Sequence, residues 1–173
     1  MQTESSSLIS DAARQEIDRW LKKFPSDRKR SAVLIALRLV QEQNGGWLTT
    51  ELMDAVADYL DLSPIAVYEV ASFYSMFHVE PVGKYRLDVC NNISCMLRGS
   101  QQIIAHLEQR LGIEAGETTA DGLFTLHETE CLAACVDAPM LQVNYQTYHE
   151  KLTPEKVDNL LAEIRQLESQ HAK

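Results

Sequence analysis

Four cysteines, the only ones in the chain, fall as two close pairs: Cys90 and Cys95 in CNNISC, and Cys131 and Cys135 in CLAAC. Thirty-five residues, Met96 to Glu130, separate the pairs. Two short loops that each offer two thiolates suit a dinuclear iron–sulfur cluster held by four Cys. Structural zinc prefers tighter knuckles, C-x2-C above all, and stands as the second reading. A redox dithiol of the thioredoxin kind needs C-x-x-C, and a Rieske centre needs two histidines in place of two cysteines; neither pattern is present. Cysteines packed as small hydrophobes, or two disulfides, are the bland alternatives. The flanks speak against packing, because Asn91, Asn92, Ser94, Asp137 and Pro139 are loop residues. The first ten residues, MQTESSSLIS, lack the basic and apolar runs of a secretory signal. In a reducing compartment, paired thiols more often bind metal or do redox work than cross-link.

The elements that must position these thiols begin after a break near Pro81–Gly83. Tyr85, Leu87 and Val89 alternate with Arg86 and Asp88, a half-buried strand that delivers Cys90 at its end. Gln101 to Leu111 reads as a helix stopped by Gly112, with Ile104, Leu107 and Leu111 apolar. Leu123 to Leu126 and Met140 to Asn144 read as strands, and Tyr148 marks a short fourth. Pro154 opens a last helix with Val157, Leu160, Leu161 and Ile164 inward. The order β-α-β-β-α predicts a thioredoxin-like sheet layer in which both cysteine loops follow strands.

Before the break the period is helical. Ser10 caps a helix with Ala13, Ile17, Trp20, Leu21 and Phe24 on one side, stopped by Pro25. Ser26 is expected to cap a second, with Val33, Leu34, Leu37 and Val40 inward and Gly45–Gly46 closing it. A third spans about Thr50 to Leu60. Ser63 and Pro64 open a fourth, carrying Val67, Val70, Ala71 and Tyr74 on one side. Residues 1–9 are expected to be loose. The fold class is therefore α+β, with an N-terminal helical domain of about four helices over 1–82 and a thioredoxin-like domain over 83–173.

An iron–sulfur cluster held by four thiolates is anionic, more so once reduced, and something must offset that charge. The helix near Gly99–Ser100 is expected to turn its N-terminal amides toward it. Arg98 is either a nearby cation or an ordinary solvated side chain. Small Ala133 and Ala134 admit backbone N–H groups close to sulfur. Val136, Pro139 and Met140 offer an apolar lid, with plain core packing the simpler account of Met140.

Composition narrows the partners. Apolar residues make up 45% and charged residues 24%, and no apolar run reaches membrane-spanning length. The net charge is −9, spread over both halves, which disfavours nucleic acid and anionic lipid. There is no G-x-G-x-x-G, P-loop, H-E-x-x-H or nucleophile elbow, so the chain carries no fingerprint of an NADH or flavin site. The glycines of QNGGW read as a turn. His127 reads as a strand-surface residue, and His78, His106, His149 and His171 lack metal spacing. Thr49 to Ser75 imitates a helix-turn-helix, the pattern of a redox-sensing DNA-binding protein. Its second helix, Pro64 to Phe77, has no Lys or Arg and one charge, Glu69, so phosphate contact is repulsive. Tyr68, Phe73, Tyr74 and Phe77 suit a protein interface or an interhelical core instead.

YRLDVCNNISCMLRG (Tyr85 to Gly99) and ETECLAACVDAPMLQVN (Glu128 to Asn144) closely resemble the thioredoxin-like [2Fe-2S] ferredoxins, and more narrowly the E-subunit family of respiratory NADH:quinone oxidoreductase, bacterial complex I. The stretch from Ala32 to Phe77, with QEQNGGWL and SPIAVYEVASFYSMF, is similar to that family's N-terminal helical region, so the resemblance spans nearly the whole chain. It implies Cys90, Cys95, Cys131 and Cys135 as ligands of one [2Fe-2S] cluster. It also implies an electron-transfer subunit that is not catalytic alone. Its partners would be an FMN- and NADH-binding subunit and a neighbouring iron–sulfur subunit, in the peripheral arm on the cytoplasmic side of the bacterial inner membrane. The family's second motif often reads C-L-G-x-C; here Ala133 occupies the glycine slot and must accept that backbone geometry. Small subunits of NAD-reducing hydrogenases and NAD-dependent formate dehydrogenases share the pattern and give the alternative. Tyr68 to Phe77, with Trp20 and Trp47, are the expected docking surface, against a plain core role for their aromatics.

Overall fold

The computed structural model describes residues 8–171. Two compact units meet in sequence at Val82–Gly83, and each is built around its own core.

The first unit is helical: α1 (Asp11–Leu21), α2 (Val33–Gln43), α3 (Thr50–Leu60) and α4 (Pro64–Phe73). Ser10 caps α1 by accepting the Ala13 N–H, and Thr49 caps α3 by accepting the Leu52 N–H. Ile17, Leu37, Val40, Leu48, Val56, Leu60 and Val67 are fully buried between them. Ser26 does not start α2. Residues 26–28 stay in a turn and Lys29–Ala32 form a 3₁₀ turn first. Arg28, Lys29 and Arg30 explain the delay, since cations oppose the dipole at a helix N-terminus. Leu34 lies beside the buried stripe and is exposed, as is Tyr74, which follows α4 in extended backbone. The expected looseness of residues 1–9 falls mostly outside the described residues, but Ile9 is buried in the core. Gln43 holds it there, accepting the Ser10 N–H at 2.8 Å and donating to the Leu8 carbonyl at 2.7 Å. Buried Gln41 does the same for the segment after α4, donating to the Met76 carbonyl and accepting the His78 N–H.

The second unit begins at Gly83, where a Cβ would come within 2.7 Å of the Phe124 backbone. Its strands are β1 (Tyr85–Cys90), β2 (Phe124–Thr129), β3 (Leu141–Val143) and β4 (Thr147–His149), in the order β2-β1-β3-β4. β1 and β2 run parallel, joined through α5 (Ile93–Leu97) and α6 (Ser100–Leu111); β3 and β4 are antiparallel. Leu87, Val89, Leu126 and Leu141 meet Ile103, Ile104 and Leu107 of α6 and Val157, Leu161 and Ile164 of α7 (Pro154–His171). β2 runs three residues past Leu126, and β3 is shorter than Met140 to Asn144. The added strand residues, His127 to Thr129, pair with Asp88 to Cys90 and carry the parallel ladder up to the first cysteine.

β1 is not half-exposed as its alternation suggests. Arg86 is 4% and Asp88 0% exposed. The two charges bury together as a 2.5 Å ion pair on the face that also carries Cys90. His127 Nδ1 lies 3.0 Å from Arg86 and 3.1 Å from Asp88, and the Arg86 guanidinium stacks over Tyr145.

Candidate iron–sulfur site

Both cysteine loops leave the carboxyl ends of the parallel pair. Cys90 is the last residue of β1, and its N–H donates to the Met140 carbonyl at 3.1 Å. Asn91 continues the ladder by donating to the Thr129 carbonyl at 3.0 Å. Asn92 then caps α5, its Oδ1 accepting the Ile93 N–H at 2.7 Å, and α5 carries Cys95 inward. Cys90 and Cys95, 3% and 2% exposed, form a small apolar cluster with Ala138 and Met140. The Cys90 thiol donates to the Glu130 carbonyl at 3.8 Å. Burial pushes the Cys95 thiol up to about 11, and its hydrogen bond with Cys90 adds to this; the Met140 N–H pulls the other way.

The second pair is held differently. Residues 131–135 alternate: Leu132 and Ala134 are half-buried against the first pair's cluster, while Cys131, Ala133 and Cys135 are exposed. Ala133 sits at φ +60, the left-handed region its glycine slot requires, and its N–H donates to Cys131 Sγ at 3.3 Å. The Cys135–Asp137 3₁₀ turn follows, then a cis Ala138–Pro139 bond. All four thiols are free. Among the described residues no three His, Cys, Asp or Glu side chains already form a closed metal cage. The donor set nevertheless fits a four-thiolate cluster. Two thiols are adjacent and buried, Cys135 is near enough to act on Cys95 electrostatically, and an exposed loop carries the other two beside them.

Several expectations change. α5 occupies the chain between Cys90 and α6, so its first-turn amides, not those of α6, follow the first thiol. Gly99, at φ +94, separates the two helices, and a Cβ there would strike the Gln102 side chain. Ser100 is fully buried at the start of α6, with no hydrogen-bond partner for its hydroxyl. Arg98 is exposed. Of the expected lid, Met140 and Pro139 are buried but Val136 is 85% exposed. His127 serves the Arg86–Asp88 pair, and His106 pairs with Asp158. No periodic signal could reveal α5, which is barely one turn long. The Lys151–Asp137 ion pair at 2.9 Å, on the shoulder of the second loop, was equally invisible, its partners being fourteen residues apart.

Known proteins resemble this chain over most of its length. The family described as thioredoxin-like [2Fe-2S] ferredoxin matches residues 17–165. The E subunit of NADH-quinone oxidoreductase from Rickettsia felis is 49% identical over 143 residues, covering 83% of this chain and 85% of the relative. The protein of the same name from Rickettsia bellii is 46% identical over 145 residues, covering 84% and 86%. Among solved structures, an NAD⁺-reducing [NiFe]-hydrogenase in its air-oxidised state superposes with a TM-score of 0.67 at 23% identity. That match covers 78% of this chain but only 23% of the hydrogenase chain, and it speaks for the fold alone. With this span of matched sequence, two cysteine loops on one strand pair and a four-stranded mixed sheet, the chain belongs to the thioredoxin-like [2Fe-2S] ferredoxin family.

Proposed function

We propose that this chain is the small electron-transfer subunit of an NADH:quinone oxidoreductase, with Cys90, Cys95, Cys131 and Cys135 holding one [2Fe-2S] cluster. The observation that carries the reading is the meeting of both cysteine loops at the ends of parallel β1 and β2, in a chain whose relatives are named as the E subunit of that enzyme. Such a cluster takes and gives one electron at a time, so a flavin is needed to divide the two electrons of a hydride. On this reading FMN and NADH belong to a partner subunit, with a further iron–sulfur subunit alongside, and the lack of a dinucleotide fingerprint in the sequence supports it. No described helix is long and apolar enough to cross a membrane. We place the chain in the peripheral arm of that membrane complex, on the cytoplasmic side, as the E-subunit resemblance implies.

The chain's own residues have three tasks here. Cys90 and Cys95 supply a buried half-site. Leu132 and Ala134 pack the second loop against that half-site and leave Cys131 and Cys135 accessible beside it. Exposed Ile93, Met96, Leu97 and Val136, all near the cysteines in sequence, give a partner an apolar surface beside the thiols. This suits docking better than Tyr68 to Phe77, where Phe77 is buried, Tyr68 is tied to Asp54, and of the aromatics only Phe73 and Tyr74 are exposed. Trp20 and Trp47 are half-buried. The hydrogenase reading has the fold match behind it, at less than half the sequence identity of the Rickettsia felis relative.

The test is co-expression with the flavoprotein. The isolated chain neither binds nor oxidises NADH, and the co-purified complex reduces ferricyanide with NADH. Tight NADH binding by the chain alone contradicts the proposal.

A further inference from the structure

Asp137 lies two residues beyond Cys135, and its carboxylate is the nearest anionic side chain in sequence to that cysteine. Lys151 meets it twice. The Lys151 N–H donates to the Asp137 carbonyl at 2.7 Å, and Nζ reaches Asp137 Oδ1 at 2.9 Å. One residue on, the Leu152 N–H donates to the Pro139 carbonyl at 2.9 Å, and the Leu152 side chain is buried in the sheet core. The two backbone bonds therefore moor the second cysteine loop to the body of the unit whatever the side chain at 151. Lys151 itself stands at φ +49, a left-handed conformation that glycine or asparagine would adopt more easily.

The ion pair is poorly explained as a source of stability. The Lys151 side chain is 68% exposed and that of Asp137 31%, and an ion pair so open to water contributes little to folding. Its position gives it another use. Local charge, along with hydrogen bonds to sulfur and solvent access, sets the reduction potential of an iron–sulfur centre. Arg98, just past the first cysteine pair, is near enough for its charge to act on Lys151 as well, so two cations gather where the loops approach.

We infer that Lys151 is a positioning and tuning residue. Its ammonium cancels the Asp137 carboxylate beside the second cysteine loop, and so keeps the reduction potential of a centre bound there above the value the loop's own charge would impose. Without Lys151, an uncompensated anion sits beside an already anionic centre and opposes the incoming electron. The inference rests on the four-cysteine reading of the previous subsection.

The test is an EPR-monitored redox titration of the full chain, reconstituted anaerobically with iron and sulfide. Wild type is compared with Lys151→Arg, Lys151→Gln, Lys151→Glu and the double variant Lys151→Gln/Asp137→Asn. Lys151→Gln shifts the midpoint to a more negative potential, Lys151→Glu shifts it further, and Lys151→Arg leaves it in place. The double variant returns it toward wild type, and added salt narrows every difference. Failure of Lys151→Gln to hold the centre, with Lys151→Arg and the double variant holding it, supports the same charge cancellation. One common potential across the set overturns the inference, as does a shift in Lys151→Arg equal to that in Lys151→Gln. No [2Fe-2S] signal even from wild type overturns this inference and the ligand assignment together; normal signals at equal potentials overturn this inference alone.

Discussion

The two cysteine pairs differ in how completely the polypeptide holds them. Cys90 ends a strand paired on both sides, and Cys95 sits on a capped turn of helix; both are buried among Ala138 and Met140. Cys131 and Cys135 lie on the outer side of an alternating loop whose inward positions belong to Leu132 and Ala134. One pair is thus packed into the fold, and the other lies on an exposed loop beside it.

Serine substitutions give the sharpest contrast. Cys95→Ser and Cys135→Ser each abolish the cluster, read as loss of iron, labile sulfide and visible absorption. In the metal-free protein the two part company. Cys95→Ser puts a hydroxyl into an apolar pocket and costs about 1–3 kcal/mol. Cys135→Ser, at an exposed position, stays within about 0.5 kcal/mol of wild type. Urea midpoints of the two metal-free variants measure this, and equal destabilisation would erase the distinction between the pairs.

A smaller effect is expected at Ala133. A β-branched side chain at φ +60 costs about 1–3 kcal/mol. Ala133→Val therefore slows or prevents cluster loading, while Ala133→Gly loads at least as well as wild type. Loading rates followed by absorbance during reconstitution decide it, and indifference to valine would mean the left-handed turn is dispensable.

The smallest effect concerns the strand beside the mooring segment. Burial holds His149 below the ordinary imidazole range, with Glu163 pulling weakly the other way. The unfolded chain then takes up this proton more readily than the folded one. Its contribution to stability is present above the unfolded value near 6.5 and is lost as pH falls from there through the folded value. His149→Phe should flatten that part of the stability profile in thermal melts between about pH 7 and pH 5. An unchanged slope would remove His149 from the account.

Much of this site was legible as sequence. Strict alternation from Tyr85 to Val89 pointed to a strand ending in Cys90, and the loop composition around both pairs placed the thiols at strand ends. The Ala133 turn could be foreseen because the family's pattern has glycine there. What escaped has physical reasons. α5 is a five-residue helix, too short to show a period, and is fixed by Asn92 rather than by an apolar stripe. β1 read as half-exposed because Arg86 and Asp88 are polar, yet opposite charges two residues apart on one strand face can be buried together. The exposure of Cys131 and Cys135, with Leu132 and Ala134 packed against the first pair, is set by tertiary contacts that no spacing rule encodes. The delayed start of α2 came from three cations at a helix N-terminus, where a serine cap alone was expected to suffice.

On the proposed function, both pairs, buried and exposed, bind one cluster. The direct measurement is iron, zinc and acid-labile sulfide analysis of the anaerobically reconstituted chain, with EPR of the reduced form. About two iron and two sulfide per chain and a single [2Fe-2S] signal are expected, all lost in Cys95→Ser and in Cys135→Ser. One equivalent of zinc without labile sulfide, or a full signal retained in either serine variant, would contradict it.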